Sequence, residues 1–116
     1  MTGKAPKLLL GAVEAAKTAR EFLGDLSIEQ YLLDHKTRSA VERQLEILGE
    51  ACSRLAKLEP ALTDQLAGLK LAIGLRNRII HGYDGVDHEI VHQTVSEDLI
   101  PLVDELGRLL DERSGP

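Results

Sequence analysis

Tryptophan is absent from this chain, and Phe22, Tyr31 and Tyr83 are its only aromatic residues, 3% of 116. Sheet cores lean on aromatic and β-branched side chains, so a core this poor in rings speaks against a β-sandwich. Cysteine is reduced to Cys52 alone, which excludes an internal disulfide and fits a reducing, cytoplasmic setting. Long apolar runs are missing too. None approaches the ~18 residues that a membrane span needs, and the run from Lys4 to Gly11 is too short for a signal-peptide core. Excess positive charge is also lacking. The net charge of -5 excludes a protein that coats nucleic acid through a broadly basic surface, though not a local phosphate site.

What remains is an apolar fraction of 43% carried by Leu, Ala, Ile and Val, which are residues of helical cores. Apolar positions 9, 12, 13, 16, 19 and 23 follow the helical period and predict a first helix over Pro6–Leu23, stopped by Gly24 and Asp25. Ser27 to Gln30 has the form of a capping box, predicting a short helix over Ile28–Asp34. Val41, Leu45, Leu48, Cys52, Leu55 and Leu58 form one stripe, so a long helix is expected from Thr37 to Leu58, ahead of Pro60. A fourth helix is expected to be capped at Thr63 or Asp64 and to carry Leu66, Leu69, Ile73 and Ile80 inward. The last is expected from the Asp87 cap to about Asp111, with Val91, Val95, Leu99, Leu102, Leu106 and Leu109 buried and a kink at Pro101. Strand alternation and repeats are not found. The expected architecture is all-α: a single up-and-down bundle of four to five helices in one domain spanning 1–116, frayed at 1–5 and 112–116.

The chemistry concentrates in Arg76-Asn77-Arg78-Ile79-Ile80-His81-Gly82-Tyr83. Between Gln65 and Tyr83 the charges are Lys70, Arg76 and Arg78 with no acid, so positive potential gathers there in a chain that is otherwise acidic. Arg76 stands between Ile73 and Ile80 on a stripe expected to face inward, which a cation tolerates only if it is paired, reaches a surface, or meets a second subunit. His81 lies about 140° further round the helix, so the pair fits a site at a helix end or across an interface. Asn77 shares the face of His81 and can orient its imidazole. An imidazole moves protons near neutral pH at a ribose hydroxyl or a leaving oxygen, and a guanidinium holds phosphate oxygens and steadies charge in the transition state. Arg78 and Lys70 are candidate phosphate contacts. Glu50 reads as a solvated residue of the long helix, with pairing to an arginine near the site as the alternative.

Arg76-Asn77-x-x-x-His81-x-Tyr83 is similar to the Arg-polar-x(3)-His-x-Tyr signature of HepT-like proteins in the HEPN superfamily. Ala40 to Ala51 also looks like that family's central helix, and Asp87 to Leu102 like its last one. The resemblance implies an HEPN-like homodimer acting as a metal-independent endoribonuclease toxin. Arg76 and His81 are then the catalytic pair and Asn77 an assistant, in a cleft shared by two subunits. It also implies an MNT-type nucleotidyltransferase antitoxin that silences the toxin by AMPylation of Tyr83. The chain departs from the family in lacking its usual tryptophans, and His92 stands at one of those places.

Two other functions are compatible with these residues. An inactive HEPN module would dock the nucleotidyltransferase and hold nucleotide phosphate through Arg76 and Arg78; a plain dimerisation bundle would use neither Arg76 nor His81. His88-Glu89-Ile90-Val91-His92 spells the zinc-protease pattern. With no third ligand downstream and no substrate-binding sheet, it is read as two exposed helix histidines, no metal is expected, and no cofactor is implied.

Overall fold

The computed structural model describes residues 3–82 and 85–114, and among these every regular element is helical. They are α1 (Lys4–Leu23), α2 (Ile28–Leu33), α3 (His35–Leu58), α4 (Leu62–Gln65), α5 (Ala67–Ile80), α6 (His88–Gln93) and α7 (Leu99–Ser114), with a π-helical turn over Thr94–Asp98 joining the last two. The protein is an all-α bundle. α3 packs along α1 on one side and α5 on the other, while α7 returns against α1. At 24 residues, α3 is about 36 Å long in a molecule of 46 × 27 × 20 Å.

The predicted stripe of α1 is buried, and so is that of the last segment from α6 through α7, except that Leu109 is half-buried. Leu9, Ala12, Val13, Ala16, Ala19 and Leu23 face inward, as do Val91, Val95, Leu99, Leu102 and Leu106. On α3, Val41, Leu45, Leu48, Cys52 and Leu55 are buried, each leucine contributing about 2 kcal/mol, but Leu58 at the helix end is exposed. The capping box at Ser27 forms, with Ser27 Oγ accepting from the Gln30 N–H at 3.1 Å and Gln30 Oε1 accepting from the Ser27 N–H at 2.9 Å. Asp34 does not extend α2. Its carboxylate caps α3 instead, accepting from the Thr37 N–H at 3.0 Å, so α3 begins at His35 rather than Thr37.

The expected fourth helix is two. Leu66 is extended between α4 and α5, with φ -121° and ψ 99°, and its side chain is buried. Thr63 and Asp64 do not cap; α4 starts from Ala61, and the Thr63 hydroxyl donates to the Pro60 carbonyl at 2.7 Å. Restarting the helix lays Gly68 against Leu102, where an added Cβ would stand 2.9 Å from a Leu102 methyl. It also turns α5 so that Leu69, Ala72 and Leu75 face the core, leaving Ile73 half-buried and Ile80 exposed.

The kink expected at Pro101 takes the form of the π turn just before it. Proline has no N–H and its ring crowds the carbonyl four residues back, so the preceding turn widens. Arg20 of α1 fills the gap in hydrogen bonding, its Nη1 donating to the Val95 and Ser96 carbonyls at 2.7 and 3.2 Å. No helix among the described residues is long and apolar enough to cross a membrane.

Candidate functional site

Arg76 occupies a seam of unusual closeness. A Cβ at Gly49 would stand 2.8 Å from Arg76 Cγ and 2.9 Å from the Ala72 carbonyl oxygen, so α3 and α5 meet here only because position 49 has no side chain. That contact presses the arginine stem between the helices and directs its head outward. Nη2 meets Glu50 Oε2 at 3.0 Å, Nη1 donates to Asn77 Oδ1 at 3.1 Å, and Nε is buried with no partner among the described residues. Glu50 is shared, since its Oε1 accepts from Arg54 Nε at 3.0 Å. The Arg76 side chain keeps 28% of its exposure and opens on a groove with Arg43, Glu46, Ile47, Glu50, Arg54 and Ile80.

His81 is the C-cap of α5, its N–H donating to the Asn77 carbonyl at 3.0 Å, and its side chain is exposed. It opens on a different groove, lined by Asn77, Arg78, Gly82, Val86 and Asp87. One copy therefore does not gather Arg76 and His81 around a single point, in keeping with their angular separation on the helix. Asn77 belongs to both surroundings. Its side-chain oxygen accepts from Arg76, and among the described residues no side-chain hydrogen bond joins it to the imidazole it was expected to orient. Arg78 accompanies His81; Lys70 is exposed near the start of α5 and lines neither groove. Tyr83 lies outside the described residues.

His88 and His92 are not the exposed pair expected. Both are half-buried against Tyr31, with ring centroids 6.4 and 5.7 Å away. His92 Nε2 pairs with the Leu26 carbonyl at 2.8 Å and ties α6 to the segment before α2, while His88 Nδ1 stands 3.7 Å from Glu42 Oε2 of α3 without a hydrogen bond. Burial raises the Tyr31 hydroxyl well above its ordinary pKa and pushes the Cys52 thiol up to about 12. Neither group lies in a groove with Arg76 or His81.

Gly49 went unread in the sequence, and Glu50 fits both of its readings, being partly exposed and paired to two arginines. The signal was present in Leu48-Gly49-Glu50, since a glycine inside a long helix costs about 1 kcal/mol and calls for a packing reason.

The described residues define an all-helical bundle whose motif helix presents an ion-paired arginine on its flank and a histidine at its end. The family model described as "Ribonuclease HepT-like" matches residues 12–109, and the chain belongs to that family, of the HEPN superfamily. A Thermococcus cleftensis protein named "Probable ribonuclease HepT" is 34% identical over 96 residues, 83% of this chain and 86% of that protein. Two Methanocaldococcus jannaschii proteins provisionally named as RNases are similar at 29% over 107 residues (92% of this chain, 88% of the relative) and 34% over 91 residues (78% and 83%). No solved structure matches the chain significantly.

Proposed function

We propose that two copies of this chain form a metal-independent endoribonuclease, the toxin of a HepT–MNT toxin–antitoxin pair acting in the cytoplasm. The observation that carries this reading is the outward presentation of Arg76 beside the exposed side chains of Ile47 and Ile80, on a flank where His81 is not. An apolar rim around a polar group is the character of a surface meant for contact. A second copy seated there brings its own His81 toward the first copy's Arg76, so that a phosphate in the shared cleft meets both.

In that cleft the ribose 2′-oxygen attacks the adjacent phosphorus and the bond to the 5′-oxygen breaks. His81 takes the hydroxyl proton and passes it to the departing 5′-oxygen, leaving a 2′,3′-cyclic phosphate, and Arg76 steadies the negative charge that grows on the non-bridging oxygens. Asn77 holds the guanidinium at the angle this requires; Arg78 and Lys70 take flanking phosphates. The antitoxin, a nucleotidyltransferase, transfers AMP from ATP onto the Tyr83 hydroxyl with release of pyrophosphate, which adds negative charge and bulk where RNA must enter. Purified protein is expected to cut RNA in EDTA, and His81→Ala to abolish cutting while leaving helical content unchanged. Cutting retained by that variant, or lost with EDTA, refutes the assignment. An unshifted intact mass after co-expression with the nucleotidyltransferase refutes the modification.

A further inference from the structure

Beyond the groove at Arg76, where Glu46 and Glu50 stand among three arginines, lies a surface charged with one sign only. Arg54, which shares Glu50 with Arg76, also lines a second groove along the seam between the first turns of α1 and the last turns of α3, together with Lys4, Lys7, Lys57, Leu8 and Leu58. Its charged lining is all positive, in a chain of net charge -5. The cations flank the seam in pairs: Lys4 and Lys7 are one turn apart on α1, as are Arg54 and Lys57 on α3. Between the cations lies an apolar floor, with Leu58 47% exposed. The neighbouring acid, Glu59, is held by Arg113, whose hydrogen bonds keep its carboxyl below the ordinary range, so its charge is matched within the fold.

We propose that this seam is an RNA exosite that holds the backbone of a single strand leading to or from the Arg76 groove. Phosphate oxygens meet Arg54, Lys57, Lys4 and Lys7, and a base lies over Leu8 and Leu58. Continuity decides for RNA over other anions. Arg54 lines both grooves, and Glu50 to Lys57 spans about 10 Å along α3, a reach of a few nucleotides from the phosphate at Arg76. The choice of RNA and the direction of the strand rest on the ribonuclease reading; the affinity of the seam for a phosphate backbone does not.

The test measures binding of an unstructured single-stranded RNA oligonucleotide to the full-length His81→Ala chain across a salt series, by fluorescence anisotropy. Each phosphate contact on a single strand contributes about -0.7 to the slope of log affinity against log salt, so Lys4→Gln, Lys7→Gln and Lys57→Gln together are expected to flatten it by about 2. The penalty of a fourfold rise in salt then shrinks roughly twentyfold. A control triple of equal charge change elsewhere, Lys17→Gln, Lys36→Gln and Arg108→Gln, is expected to keep the original slope. An unchanged slope in the seam variant, or equal flattening in the control, overturns the exosite. Wild-type chain that cleaves while the seam variant's slope is unchanged refutes the exosite alone; wild-type chain that does not cleave, with the slope flattened, supports the exosite and refutes only the ribonuclease reading.

Discussion

Replacing Gly49 with alanine perturbs the site through one methyl group. Ordinary carbon contacts lie at about 3.5–4.0 Å, whereas the new Cβ would overlap Arg76 Cβ and stand 2.8 Å from its Cγ and 2.9 Å from the Ala72 carbonyl oxygen. Those atoms belong to the α5 backbone or to the root of a side chain, so no rotamer change relieves the overlap and α5 must move away from α3. Overpacking of this kind costs about 1–3 kcal/mol, and the overlap with backbone places it at the upper end. The higher helix propensity of alanine returns about 1 kcal/mol. The net expectation is a loss of about 2 kcal/mol, or roughly 7 °C in the melting temperature of a domain this size. The comparison is Gly74→Ala on α5 itself, where an added Cβ meets nothing within 4 Å; it is expected to gain about 0.5–1 kcal/mol. Thermal unfolding followed by circular dichroism reads both. RNA cleavage by Gly49→Ala should fall as well, because the displaced arginine loses Glu50. Equal stability of the two variants would refute the close-approach argument.

Glu50→Gln removes the carboxylate between Arg76 and Arg54. Both partners are partly exposed, so stability should change by less than about 1 kcal/mol. RNA should bind more tightly and be cut more slowly, and steady-state kinetics should show KM and kcat falling together, since the groove loses a negative charge and the guanidinium its anchor. The buried Cys52 thiol should resist thiol reagents at pH 8 in the native protein and react in urea. Its pKa rises from an ordinary 9.0 to about 12 on burial, so its contribution to stability is full below pH 9 and declines between pH 9 and 12. Denaturant titrations across that range should show the decline, and Cys52→Ala should lessen it.

Helix existence was legible because the stripes at Leu9 to Leu23 and Val91 to Leu106 have the period of a helix and no rival pattern. The capping box at Ser27 and the cap at Asp87 were local signals, and both form. The break at Leu66 was hidden. No proline or glycine occupies that position; it is set by the docking of Gly68 on Leu102, a contact between residues far apart in sequence. That break also rotated α5, which is why Ile80 was expected inside and lies outside. At the site, spacing alone gave the divergence of Arg76 and His81, because helix geometry fixes it. The salt bridge from Glu50 needed the α3–α5 seam, and the half-burial of His88 and His92 needed Tyr31, brought there by α2. No single-helix pattern reports either.

The central claim, that a complete site draws its arginine from one copy and its histidine from the other, can be tested by mixing two dead variants. Arg76→Ala and His81→Ala homodimers each lack one half of every site. After partial denaturation and re-annealing, about half of the dimers are mixed, and each mixed dimer holds one intact arginine facing one intact histidine, so RNA cleavage should return to roughly a quarter of the wild-type rate. Mixtures that stay inactive although mixed dimers form would contradict the account.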